Sequence, residues 1–346
     1  MSNKFINIYL TSCAAKLPSS ATSIEVLLNN YEETYLRQLW EISSRRYILT
    51  NSPTEANIII VCDIPPKNFF ESLRKNSLIN QFPMKCFIVS SRDQTQPLVR
   101  GVCASARRSS LFSFRYRTGS YTLFHKIGMN DFIERYSGSA YLNHKKYLFS
   151  FDGRESHPTR TRIFKLSFSR FDIYINDTSS YGNYVGDSKE SVRRSFVETM
   201  ECSKFALCPR GLSPSSIRLF EAMKIGVAPI IISDDWIPPK GPDWAKFALF
   251  IKESEIIRLE EIAAKNEYRY KEMGIAAAEA YKLYFSRNVY FDFLIKQIID
   301  INDNEIIPEI LFFKARTVIY ILWRYCIKIK LLFCSENTRK VLKKML

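Results

Sequence analysis

Residues 204–232 read Lys204-Phe-Ala-Leu-Cys-Pro-Arg-Gly-Leu-Ser-Pro-Ser-Ser-Ile-Arg-Leu-Phe-Glu-Ala-Met-Lys-Ile-Gly-Val-Ala-Pro-Ile-Ile-Ile232. The apolar run 204–208 predicts a buried strand that ends at the turn Pro209-Arg210-Gly211. A short polar loop leads to a helix over 215–225, which Gly226 stops, and 227–232 predicts the next strand. Such a strand–loop–helix–strand unit belongs to a parallel α/β sheet. The first amides of a helix lack partners and carry partial positive charge, so the opening at Ser215-Ser216 suits a diphosphate, with the serine hydroxyls either capping the helix or bonding phosphate oxygens. Arg210 on the loop and Arg218 in the first turn are placed to neutralise a departing pyrophosphate. Glu221, one turn beyond Arg218, can accept from both ribose hydroxyls, as acidic residues do in dinucleotide folds. The same residues also suit an ordinary βαβ unit, with Arg218 and Glu221 as a surface ion pair and Ser215 as a plain cap.

Working outward, 4–10, 57–62 and 85–89 predict strands, with helices over 31–46 and 67–75 between them. Residues 101–145, rich in Ser, Arg, Tyr and Phe, read as irregular with short helices. A second series opens at Tyr147-Leu-Phe-Ser-Phe151, ending in Asp152-Gly153. It continues through a basic helix at 158–168, a strand at 171–175, a polar loop with Gly182 and Gly186, and a helix at 188–201 capped by Asp187. Residues 247–251 offer one more strand, and the chain beyond 254 is helical with a break at Pro308. The expected division is 1–145, 146–290 and a helical tail 291–346.

The stretch resembles the C-terminal signature of the exostosin glycosyltransferases (family 47). That signature runs Phe-x-Leu-Cys-Pro-x-Gly, a Ser-rich turn, Arg-x-Phe-Glu-Ala, Gly-x-x-Pro-Ile-Ile and Asp-x-Trp. Here Phe205 to Gly211, Arg218 to Ala222 and Gly226 to Ile231 carry it, and Asp234-Asp235-Trp236 and Trp244-x-x-Phe247 follow. Weaker echoes lie at 54–61 and 146–153. The resemblance implies an α/β chain of GT-B fold, two Rossmann-like domains facing an interdomain cleft. It also implies transfer of a sugar, with inversion and without a bound metal, from a nucleoside-diphosphate donor, UDP-linked, to a glycan or lipid-linked glycan acceptor. Carried over, Arg218 meets the diphosphate, Glu221 the ribose, and Ser213, Ser215 and Ser216 line the phosphate turn. Arg154, Arg160 and Arg162, after the 147–151 strand, are further phosphate candidates or a solvated helix face.

An inverting transfer needs a base for the acceptor hydroxyl. Asp63, ending the strand at 58–62, is the first candidate and Asp152 the alternative, although either suits a turn or a cap. His125 and His144 lie in segments without a clear element. Asp234-Asp235 lacks the spacing of the Asp-x-Asp metal motif, the three histidines lack ligand spacing, and no metal is expected.

Size and composition agree with this reading. A 346-residue chain, 46% hydrophobic, accommodates two α/β domains. Eight cysteines without a C-x-x-C pair read as reduced thiols of a cytoplasmic protein. The net charge of +15 asks for a polyanionic partner. No nucleic-acid-binding motif is present, so nucleic acid is the lesser candidate. An exostosin-like binding protein without activity is the other alternative. Much of the charge sits in 306–346, where nine cations (314, 316, 324, 328, 330, 339, 340, 343, 344) face two acids. With the apolar stretch 310–333, that tail reads either as a peripheral helix on anionic membrane, spanning 310–344, or as a terminal helix packed on the protein.

Overall fold

The computed structural model describes residues 6–13, 31–65, 69–93, 96, 98–124, 130–181 and 188–333. His125, Gly182, Gly186, Asp187 and the cations from 339 onward lie outside the described residues. The chain forms two compact units, one of Met1–Gly119 with Tyr290–Leu346 and one of Ser120–Val289.

The first unit carries β1 (Asn7–Ser12), β2 (Ile48–Leu49), β3 (Ile58–Cys62), β4 (Cys86–Ser90), β5 (Gly101–Cys103) and β6 (Tyr116–Thr118). They form one sheet of order β2-β1-β3-β4-β5-β6, parallel throughout. Parallel strands covered on both faces are apolar without alternation, and every residue of Ile58-Ile-Ile-Val-Cys62 is buried. Helices α1 (Tyr31–Glu41) and α2 (Phe69–Lys75) supply part of the cover.

The second unit carries β7 (Tyr147–Gly153), β8 (Ile173–Asp177), β9 (Ser203–Pro209), β10 (Ala228–Ile232) and β11 (Leu249–Ile251) in the order β11-β10-β9-β7-β8, again all parallel. Its helices include α3 (Pro158–Phe164), α4 (Ser188–Glu201), α5 (Ile217–Ile225) and α6 (Tyr270–Ala280). Phe149, Phe151, Phe205, Leu207, Ile230 and Ile232 form the buried centre. Gly226 closes α5 in the left-handed conformation (φ 85°), its N–H returning to the carbonyls of Ala222 and Met223.

Two expectations change. The stretch 101–145 is not uniformly irregular: it holds β5 and β6, each three residues long and too short to show a period. Gly101 lies so close to the backbone of Ile88 that no Cβ fits there. The first unit also ends at Gly119 rather than near 145, and the tail is no separate body. Helix α7 (Arg287–Asp303) and helix α8 (Glu309–Phe333) bind the first unit through specific pairs. Arg117 pairs with Asp300, Arg100 with Glu305 at 3.1 Å and Arg115 with Glu309 at 2.6 Å. Tyr320 and Trp323 pack on Phe70 with ring centroids 5.1 and 4.3 Å away. Among the described residues no helix is long and apolar enough to cross a membrane.

Candidate functional site

In an open parallel sheet, ligands sit beyond the carboxyl ends of the strands where the winding direction reverses. The second sheet reverses between β7 and β9: the chain leaves β7 for β8 on one side, then returns to β9 on the other. Asp152-Gly153 ends β7, Pro209 ends β9, and Arg210-Gly211 opens the loop to α5. A Cβ on Gly211 would come within 3.1 Å of Ser156 Oγ and 3.3 Å of Arg160 Nη2, so the loop packs closely on these two side chains and a larger residue would need them to shift.

The start of α5 is left unsatisfied. Ser216 takes the extended N-cap conformation (φ −138°, ψ 141°), yet its side chain makes no capping hydrogen bond. Ser215 is buried, and its Oγ has no hydrogen-bond partner among the described residues. A buried hydroxyl without a partner costs roughly 1–3 kcal/mol, so a group that supplies the missing bond binds with advantage. Ser213 is half-buried in the same turn. The Arg218 guanidinium lies over the rings of Phe151 and Phe196, 4.6 and 5.2 Å from their centroids. It makes no ion pair among the described residues, and its charge acts on Asp152, Cys208 and Glu221 alike.

Glu221 is not the outer half of a surface ion pair. It is 6% exposed. Burial pushes its carboxyl up to about 7, against the Arg218 charge and the Asn130 backbone N–H that favour ionisation. Asp152 is raised by burial too, while Asn176 Nδ2, 2.6 Å from Oδ1, and then Arg218 pull the other way. The switch point thus gathers uncapped amides, a buried hydroxyl, a guanidinium fixed on aromatic rings and a buried carboxylate. Groups of that kind are chemically able to neutralise a phosphate chain and to accept hydrogen bonds from a diol.

The family model described as the exostosin GT47 domain matches residues 112–265, the span that contains all of these groups. Residues 112–265 are thus similar to the exostosin GT47 domain. A Caenorhabditis elegans protein named exostosin-1 homolog is 29% identical over 182 residues, 47% of this chain and 47% of its own. The exostosin-1 of Drosophila melanogaster is 28% identical over 134 residues, 34% of this chain and 18% of its own. A rice (Oryza sativa subsp. japonica) protein named a probable glucuronosyltransferase is 38% identical over 71 residues, 20% of this chain and 17% of its own. The chain therefore spans less than half the length of these curated relatives. MurG of Acinetobacter baumannii aligns over 85% of this chain and 99% of its own at 8% identity with a TM-score of 0.35; the fold rests on the strand orders themselves.

Within this span, two of the other predicted cations, Arg210 and Arg160, have structural partners. Arg210 Nη1 lies 3.5 Å from Glu253 Oε1 and 4.0 Å from Asp235 Oδ2. Arg160 donates to the carbonyls of Arg210 (3.0 Å), Pro209 (3.1 Å) and Arg154 (3.3 Å), so it braces the loop from behind. Arg154 is half-buried after β7, and Arg162 is exposed on α3. Asp234 is tied to Glu253 in both directions, its N–H donating to Oε1 (3.2 Å) and its Oδ1 accepting from the Glu253 N–H (3.1 Å). With Asp235 facing Arg210, this pair serves the loop's architecture. His157 caps α3, Nδ1 accepting from the Thr159 N–H.

Asp63 has a different occupation. It lies in the first unit with φ 52°, its Oδ1 accepting from the Glu32 N–H (2.7 Å) and its Oδ2 from the Glu33 N–H (3.2 Å). Its own N–H donates to Glu32 Oε2 (2.8 Å), and Glu32 Oε1 accepts from Ser91 N (2.7 Å) and Oγ (2.6 Å). Both carboxylates are committed to fastening the start of α1 to the ends of β3 and β4. Asp63 is a cap, the other role its position at a strand end allows, because helix amides compete for an acid there.

Three contributors escaped the sequence reading. Phe151 and Phe196 hold Arg218, and Asn130 supplies the amide to Glu221. Phe151 lies in a recognisable strand beside Asp152, so its position was available; Phe196 and Asn130 come from distant sequence and carried no signal.

Proposed function

We propose that this chain is a GT-B glycosyltransferase that takes its donor as a nucleoside-diphosphate sugar on the second unit and passes the sugar to a glycan or lipid-linked glycan. The observation that carries it is the unsatisfied start of α5, with Ser215 Oγ lacking a partner and Arg218 and the buried Glu221 beside it. The donor diphosphate lies against the α5 amides, Ser215, Ser216 and Arg218, and the ribose hydroxyls donate to Glu221. The exostosin domain and the glucuronosyltransferase named among its relatives support a UDP-linked donor.

In the reaction the acceptor hydroxyl gives its proton to the base as its oxygen bonds to the anomeric carbon from the face opposite the leaving group. The carbon–oxygen bond to the β-phosphate breaks, and the diphosphate departs with the electron pair. Arg218 and the helix amides take up that charge as it grows, so the transfer proceeds without a metal and survives chelator. Asp152 is the better of the two base candidates: it bonds Asn176 through Oδ1 alone among the described residues, and burial raises its basicity. The free thiols at 13, 62, 86, 103, 202, 208 and 326 support work in a reducing compartment, the cytoplasm.

A thermal-shift panel of nucleoside diphosphates, followed by diphosphate release from candidate sugar donors, tests the reading. Wild type should be stabilised by one base above the others, and chelator should leave turnover unchanged. A panel that leaves the melting temperature flat, or an Arg218→Ala variant that turns over like wild type, overturns it.

A further inference from the structure

Helix α8 is amphipathic in an unusual sense: both of its long faces are apolar, and among the described residues only one is covered. Phe312, Tyr320 and Trp323 face the first unit, with Phe312 7% exposed and the other two packed on Phe70. Arg316 adds a hydrogen bond to Asn80 Oδ1 at 2.6 Å. Leu311, Val318, Ile321, Leu322, Tyr325 and Ile329 remain between 48% and 61% exposed. At about 100° per residue, Ile310, Leu311, Val318, Ile321, Leu322 and Tyr325 fall in one arc of roughly 120°, opposite the packed side. Lys314 and Lys328 lie in the same arc, both exposed.

We infer that this face of α8 rests on an anionic lipid surface, with the helix axis parallel to the bilayer plane. A face of this kind buries its apolar side chains at the headgroup boundary while its lysines extend to lipid phosphates. A second copy of the chain fits less well. A two-fold contact through this stripe brings Lys314 and Lys328 toward their own copies without an acid in the arc to answer them. The cations interrupting 314–328 suit a helix that lies on the bilayer.

The test uses the full chain and no sugar donor, so its outcome is independent of the transfer reaction. Sedimentation with phosphatidylcholine vesicles and with phosphatidylcholine–phosphatidylglycerol vesicles should show at least roughly tenfold stronger binding to the anionic set, weakened by salt. Val318→Glu with Leu322→Glu should abolish binding and leave the thermal melt in place, because both residues are exposed. Lys314→Glu with Lys328→Glu should erase the preference for anionic lipid. Absence of wild-type binding to anionic vesicles overturns the inference. So does a wild-type dimer in light scattering that Val318→Glu with Leu322→Glu turns into a monomer. The wild-type comparison decides the matter even if a variant misfolds.

Discussion

The carboxyl edges of the two sheets are built alike and finished differently. In each, a buried strand ends in an acid beside the start of a helix at the point where the winding reverses. At the first edge Asp63 and Glu32 cap α1 and bind Ser91, and their hydrogen-bonding capacity is used. At the second, α5 starts uncapped, Ser215 Oγ has no partner and Glu221 is buried with its carboxyl raised. An edge whose polar groups answer one another is architecture; an edge that leaves them unanswered is where the proposed donor finds partners.

Exchanging the behaviour of the two edges by mutation is the direct way to break this contrast. Arg218→Ala should have the largest functional effect, a loss of roughly a hundredfold or more in nucleoside-diphosphate affinity by calorimetry, since a charge-assisted phosphate contact disappears. Its melting temperature should barely move. Asp63→Ala should do the reverse. Losing the cap and stranding the Glu32 and Glu33 amides costs about 2 kcal/mol in chemical denaturation, with nucleotide affinity unchanged. A nucleotide affinity lost in Asp63→Ala would end the distinction.

Glu221→Gln sharpens it by pH. The folded-state carboxyl titrates at about 7, above the ordinary value of 4.5. Above pH 7 the folded protein therefore bears the whole cost of a buried charge, and that cost is relieved as pH falls from 7 toward 4.5. The glutamine variant should melt higher than wild type at pH 8, by up to about 3 kcal/mol in stability, and the gap should shrink toward pH 5. The variant should bind nucleotide roughly tenfold more weakly at pH 8, where the ionised carboxylate is the better acceptor for ribose. The smallest effect belongs to Ser215→Ala, which removes a partnerless hydroxyl. Stability should hold or rise slightly, while affinity falls about fivefold, one hydrogen bond's worth.

The long strands and the helix at 188–201 were legible because their apolar runs exceed a helical turn or are bounded by Pro and Gly. β5 and β6 were not, since a three-residue strand leaves no period to read. The strand end, loop and helix start at 203–225 were legible because one contiguous stretch supplies all three. Asp63 was misleading: an acid at a strand's end looks the same in sequence whether it serves a substrate or a helix's amides, and its positive φ has no sequence mark. The two units were legible as two series of βαβ elements, but the return of the tail to the first one depends on Arg100, Arg115 and Arg117 finding acids some two hundred residues away.

That return dictates an order of events on the ribosome. The first unit needs Tyr290 under Gly119 and Glu305 and Glu309 against its buried arginines, so its N-terminal part emerges first and must wait. The second unit, made entirely of Ser120–Val289, has all its own sequence earlier and can complete its tertiary structure while the N-terminal strands are still short of their closing helices. A nascent chain stalled just after residue 289 should accordingly hold a protease-resistant middle and a cleavable beginning.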